Sequence, residues 1–270
     1  MTLEDVHQRQ DHRPLRVDEV GISGIRYPVV VWDPHQGKQE TVAEVSMAVD
    51  LAPELKGAHL SRFVEVLHDQ AGGDALTPRS VTALAATLRS RLRASTARVE
   101  FRFPYFIRRP APISGGTALM DYGCVVVGKS RDDLLSWELA VRVPVTTVCP
   151  CSKAISDYGA HNQRGYVTLA VHPRAETEHN TDLWVEELVD VAEASASAPV
   201  RPLVKRPDER YLTMTAFDNP RFVEDVVRNA ADALGHDHRI ASFSVEAVSD
   251  ESIHNHAAYA RIESGSTGRA

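Results

Sequence analysis

An α+β fold is predicted for this 270-residue chain by three observations. Apolar runs of strand length come in pairs, and stripes of helical period come in pairs between them. The order strand, strand, helix, helix, strand, strand is met twice, without any residue-level repeat. Hairpins alternating with helix pairs build antiparallel sheets with helices laid on one face. The division expected is residues 1–132 and 133–270, two units of one continuous domain. Such sheets leave edges that must be covered, and joining several copies into a ring or barrel is one solution, so an oligomer is expected.

The elements follow in order. Ile25 to Trp32 is a short apolar run, and Glu40 to Val49 carries Val42, Val45, Met47 and Val49; Pro34 to Lys38 supplies the turn between them. Leu60, Phe63, Val64 and Leu67 mark a first helix, ending near Gly72-Gly73. Thr77-Pro78 offers an N-cap and a proline at the first helical position. Val81, Leu84, Ala85, Leu88 and Leu92 form the stripe beyond it. Arg98 to Ile107 and Ala118 to Val127 read as strands, as do Leu134 to Val148 and Gly165 to Val171. Leu183 to Ala194 reads as a helix. Asn219-Pro220 is taken to cap another, with Phe222, Val223, Val226, Val227, Ala230 and Leu234 on one face and Gly235 as its stop. Ile240 to Val248 and Ala257 to Ile262 close the chain as strands, and both termini read as frayed tails.

Composition narrows the function classes. Hydrophobic residues at 43% and charged residues at 25% are ordinary for a soluble globular protein. A net charge of −7 argues against a general nucleic-acid or anionic-membrane binder, so an anionic ligand must be held by a local basic patch. No stretch reaches the roughly 18 apolar residues of a membrane span. Three cysteines, two of them one residue apart, suit a reducing cytoplasm better than a disulfide framework.

Four clusters carry the chemistry, each read at a loop or an element end. Cys149 and Cys151 follow the apolar run Val141 to Val148, with His161 close behind. Lys205-Arg206-Pro207-Asp208-Glu209 sets a basic pair against an acidic pair. Glu224 stands just inside the helix that begins after Asn219. Finally, Glu251 to His256 holds two imidazoles, His254 and His256, one residue apart. Thiolate, imidazole and carboxylate together are ligands for a borderline divalent metal, and a thiolate beside an imidazole is equally the makings of an activated nucleophile. A mixed ligand set with open positions suits a catalytic metal more than a closed structural one. Residue chemistry alone thus points to metal-assisted hydrolysis of a small anionic substrate. Cys124, inside Tyr122 to Val127, reads as a small buried hydrophobe.

The stretch Thr146 to Arg164, with Cys-Pro-Cys-Ser-Lys and then Gly-Ala-His-Asn-Gln-Arg, resembles the type IB GTP cyclohydrolases of prokaryotes. Segments Lys56 to Phe63, Lys205 to Glu209, Asn219 to Asp225 and Glu251 to His256 support it along nearly the whole chain. The resemblance implies a tandem tunnelling fold (T-fold), two β-β-α-α-β-β units per chain, assembled as a homotetramer. It also implies conversion of GTP and water to 7,8-dihydroneopterin triphosphate and formate, the entry to folate and, in many bacteria, to deazaguanine tRNA nucleosides.

Carried over by residue, Cys149 and Glu209 resemble ligands to one divalent metal (zinc, manganese or iron). His161 and His254 are both candidates for the nitrogen ligand, with His161 placed in the set. Cys151 resembles the thiol beside guanine C8. His254 and His256 are the candidate general acids and bases, with the pKa range that role needs. Glu224 resembles the carboxylate that anchors a purine through its ring N–H and amino group, and Lys153, Arg164, Lys205 and Arg206 are nominated for the triphosphate. Two enzyme alternatives stay close: a metal-free T-fold nitrile reductase with a Cys nucleophile, and a branch that releases a cyclic phosphate. A zinc-stabilised assembly protein is the non-catalytic alternative, and it leaves Glu224 and the basic residues unexplained.

Overall fold

The computed structural model describes residue 7 and residues 12–13, 15–34, 37–70, 75–132, 134–174 and 183–264. Among the described residues, nine strands and six helices form the α+β architecture expected. The strands are β1 (Val17–Asp33), β2 (Gly37–Leu51), β3 (Thr96–Pro110), β4 (Thr117–Arg131), β5 (Leu134–Val148), β6 (Asn162–Pro173), β7 (Ala198–Pro199), β8 (Ile240–Asp250) and β9 (Ala257–Glu263). The helices are α1 (Leu60–Gln70), α2 (Pro78–Leu92), α3 (Pro150–Ile155), α4 (Val185–Ser195), α5 (Arg206–Asp218) and α6 (Val223–His236). One sheet orders them β1-β2-β3-β4-β5-β6-β8-β9, with β7 paired to β5. The chain forms two compact units: residues 1–104 with 125–139, and residues 105–124 with 140–270.

In the first unit, β1 and β2 pair antiparallel through Trp32↔Lys38 and Asp33↔Gly37. Gly37 takes the left-handed φ of 83° that a tight reversal needs. Period two turns Ala43, Val45, Met47 and Val49 inward onto Val99 and Phe101 of β3. It leaves Val42, counted in the stripe from sequence, on the outer face and 54% exposed. Phe63, Val66 and Leu67 of α1 and Val81, Ala85 and Leu88 of α2 complete this core. Val64 of the expected α1 stripe faces solvent instead, and the expected stop at Gly72-Gly73 lies outside the described residues. The start of α2 is as read: Pro78 is at the first position, and Thr77 and Ser80 cap each other reciprocally. At Gly128 the α2 backbone lies so close that a Cβ would sit 2.6 Å from the carbonyl of Val81.

The second unit buries Val141, Val143, Val145, Val167, Leu169, Val245 and Ala247 under α4 and α6, whose inner faces carry Leu188, Val189, Val226, Ala230 and Leu234. Polar groups run beneath α4. The Tyr105 hydroxyl donates to Glu186 at 2.7 Å, and Arg201 grips Glu193 with two bonds of 2.8 and 3.0 Å. Arg109 donates to the Tyr122 hydroxyl and pairs with Asp190. Cys124 is buried here as expected, and desolvation, with the Glu186 charge behind it, drives its thiol far above the ordinary range.

Three elements escape the sequence reading. Helix α3 is a single short run after Cys149, and β7 has two residues. Helix α5 buries only Asp208 and Ala216, so it has no apolar stripe to detect. The helix start expected at Asn219 is a correction: α6 begins after Phe222, whose N–H is accepted by Asp225. Asn219 instead closes α5, and its side-chain amide donates to the carbonyls of Ala196 and Ser197. Gly235 does not stop α6, which runs to His236.

Candidate active site

Every candidate residue lies in the second unit, and α3 and α5 position most of them. Cys149 ends the β5 run and serves as the N-cap of α3, its sulfur accepting the Ser152 N–H at 3.4 Å. The sequence reading sets both thiols at a loop or an element end, and the structure puts Cys149 at the cap and Cys151, exposed, in the first turn of α3. The Cys149 N–H donates to the His161 carbonyl at 3.1 Å, and the Ser152 hydroxyl accepts the His161 N–H at 3.2 Å. Backbone pairing thus makes Cys149 and His161 neighbours.

The His161 ring is oriented by a chain of partners. Gln163 donates its amide N–H to Glu251 at 3.4 Å, which turns the amide oxygen towards His161 Nδ1 at 2.9 Å. In the tautomer that completes this bond Nδ1 donates to the amide oxygen, and Nε2 is the nitrogen left to take a metal. Glu251 and Ser252 approach the same nitrogen at 3.9 and 3.5 Å. His254 and His256 sit on the exposed turn before β9 with rings stacked 5.1 Å apart, so the structure brings this pair together.

Helix α5 packs through Ala216 against Val148, Ala198 and Ala160. Glu209, Thr213, Ala216 and Phe217 fall on one stripe of that helix, at i, i+4, i+7 and i+8. Thr213 and Phe217 line a cleft of about 530 Å³ with Lys153, Tyr158, Gly159 and Asn162. Glu209 is exposed at the start of the same stripe. Sulfur, nitrogen and carboxylate oxygen are a donor set that suits zinc, manganese or iron. Among the described residues, Cys149 and His161 are joined through the main chain, and no three His, Cys, Asp or Glu side chains converge as a complete ligand shell.

The anion nominees are placed differently from one another. Lys153 directs its ammonium to the Phe217 carbonyl and over the Phe217 ring, 4.3 Å from its centre. Arg164, Lys205 and Arg206 are exposed, the last two at the start of α5. Glu224 is exposed in the first turn of α6, with no hydrogen bond or ion pair among the described residues.

Sequence reasoning missed Asp208. Counted from the sequence only as one of an acidic pair, it is wholly buried and accepts four hydrogen bonds. They come from the N–H groups of Ile113, Ser114 and Lys205 and from the Ser114 hydroxyl. It fixes the start of α5, and with it Lys205, Arg206 and Glu209, to the β3–β4 loop. Its place three residues after Lys205, behind a proline, was the capping signal that could have revealed it.

The family model described as type I GTP cyclohydrolase folE2 matches residues 3–260, which spans every candidate residue. The chain belongs to that family. Among curated relatives, GTP cyclohydrolase FolE2 of Magnetococcus marinus is 48% identical over 265 residues, covering 98% of this chain and 97% of the relative. FolE2 of Methylococcus capsulatus is also 48% identical, over 97% of this chain and 95% of its own. FolE2 of Syntrophobacter fumaroxidans is 48% identical over 96% and 98%. Among solved structures, urate oxidase of Bacillus sp. TB-90 superposes with a TM-score of 0.55 at 9% identity, over 92% of this chain and 99% of that one. At that identity the likeness shows a shared fold.

Proposed function

We propose that this protein is a GTP cyclohydrolase I, hydrolysing GTP at guanine C8 to 7,8-dihydroneopterin triphosphate and formate, the first step of folate biosynthesis. The observation that carries the reading is the family match over residues 3–260, a span that holds the Cys149–His161 loop, the α5 start and the α6 start.

We further propose Cys149, His161 and Glu209 as holders of one divalent metal. The Gln163–Glu251 chain supports His161 over His254, because a ligand imidazole presents one nitrogen and donates from the other. Bound there, the metal would supply Lewis acidity for attack of water on C8. Cys151, exposed one residue past the helix start, is the thiol beside the reacting carbon. His254 and His256 move protons during ring opening and reclosure. Glu224 accepts hydrogen bonds from the guanine N1–H and amino group, as an uncommitted carboxylate in a first helical turn can. Lys153, Arg164, Lys205 and Arg206 face the triphosphate, against a chain whose net charge of −7 makes local cations necessary.

The reading extends to a tandem T-fold assembled as a homotetramer in the cytoplasm, acting on GTP and on neither nucleic acid nor membrane. The three free cysteines are what a reducing compartment permits. The test is direct. Protein stripped of metal and reloaded with zinc, manganese or iron should release formate and a fluorescent pterin from GTP. No turnover with any of the three would overturn the proposal.

A further inference from the structure

We infer that Arg221 binds the substrate, donating from its guanidinium to an acceptor oxygen or ring nitrogen of the nucleotide. The inference rests on GTP being the substrate. It begins with how firmly the main chain is held. The Arg221 N–H donates to the carbonyl of Val148 at 3.0 Å, and Val148 is the residue before Cys149. Asn219, two residues earlier, is tied to Ala196 and Ser197, and Phe222, one residue later, is tied to Asp225. The Arg221 backbone is therefore fixed between the thiol end of β5 and the helix start that bears Glu224.

The side chain is uncommitted. Arg221 is half-buried, and its Nε is buried without a hydrogen-bond partner among the described residues. No ion pair involves it there, not even with Glu224 three residues on. Other half-buried arginines of the same unit are matched: Arg109 with Asp190, Arg201 with Glu193, Arg239 with Asp237 and Glu187. A guanidinium cannot shed its proton, so a buried N–H must find an acceptor or bear the cost of its desolvation.

Neighbouring chemistry says what that acceptor is. A carboxylate such as Glu224 can only accept, and takes the donor edge of guanine. A guanidinium can only donate, and takes what remains: O6 and N7 of the base, or the phosphate oxygens. Lys153, nominated for the phosphates, is already engaged by Phe217. Arg221 adds a planar fork that no other side chain among the described residues occupies, its main chain anchored to the strand end that precedes the thiols.

The experiment measures equilibrium binding of GTP and of guanosine to the full chain carrying R221Q or R221K, with thermal melts alongside. We expect GTP affinity to fall roughly 10- to 100-fold, the size of one charge-assisted hydrogen bond. Guanosine binding unchanged would place the fork on phosphate; guanosine weakened equally would place it on the base. If R221Q does not fold, R221K still reads the same contrast, because lysine keeps the charge and loses the fork. GTP bound by folded variants as tightly as by the unsubstituted protein overturns the inference, whatever the melts show. Failure of the unsubstituted protein itself to bind GTP would instead sink the cyclohydrolase reading and this inference with it.

Discussion

Ser114 and Asp208, 94 residues apart in sequence, meet through a hydroxyl hydrogen bond of 2.6 Å and a backbone N–H bond of 2.8 Å. A carboxylate with no exposure thus joins the β3–β4 loop to the first turn of α5. Burial alone would raise its pKa. Hydrogen bonds from the Ser114 hydroxyl and N–H, and from the N–H groups of Lys205 and Ile113, outweigh burial and hold it well below the usual carboxylate range.

Asp208→Asn replaces an anionic acceptor with an amide that must present a donor to donors. Urea unfolding should show a clear loss of stability at neutral pH. Because the folded pKa is depressed, the stabilisation is complete above the ordinary carboxylate range and is lost as pH falls through that range towards the folded pKa. The gap between native and variant protein should therefore narrow as pH is lowered. A gap constant from pH 7 down to the acid limit of folding would contradict the assignment.

The thiols should divide by burial. Cys151 is exposed and Cys149 half-buried, whereas Cys124 is buried with its thiol pKa driven up. A thiol reagent should label Cys149 and Cys151 in the metal-free folded protein and reach Cys124 only in denaturant. Cys149→Ala should lose bound metal, while Cys151→Ala should keep metal and lose turnover. Near-full activity in Cys151→Ala would remove that residue from the reacting centre.

Glu224→Gln keeps the shape and removes the charge of the proposed guanine anchor. Two charge-assisted hydrogen bonds become weaker ones, and the amide brings a donor against a donor, so GTP affinity should fall on the order of 100-fold. The thermal midpoint should hardly move, because the side chain is exposed and uncommitted. Calorimetric titration with GTP checks both halves, and unchanged affinity would dismiss the anchor.

Beneath α4, Glu193 is 9% exposed and held by both guanidinium arms of Arg201. Glu193→Ala leaves that guanidinium half-buried without its acceptor. Chemical denaturation should register a loss of about 3 kcal/mol, as for other broken buried pairs. Replacing Glu193 and Arg201 together should cost less than the sum of the single changes.

Gly128→Ala tests the seat of α2 on β4. The new methyl would meet main-chain atoms of Val81 and Thr82 at 2.6 to 2.8 Å, and backbone cannot swing aside as a side chain does. A destabilisation of about 1–3 kcal/mol is expected from denaturation curves. An unperturbed midpoint would mean that α2 sits higher on the sheet.

The sequence by itself determined the elements whose burial is periodic. Val45, Met47 and Val49 alternate, and Val226, Ala230 and Leu234 recur on one helical face, so strand and helix are legible without any partner. It also determined the motif residues, because ligand and nucleophile chemistry belongs to the side chain and survives without coordinates. What only the tertiary structure decided is what long-range contact creates. Helix α5 has almost no buried stripe and exists as a helix against Val148 and Ala160, so local pattern could not announce it. Asp208 and Glu209 are neighbours of like charge in sequence, yet one is sealed beneath the 113–114 backbone and the other is exposed. Arg221 looks like any surface arginine until Val148 fixes its main chain and leaves its Nε buried. Burial and hydrogen-bond partners are properties of residues brought together from distant parts of the chain, and those are settled only when the chain is folded.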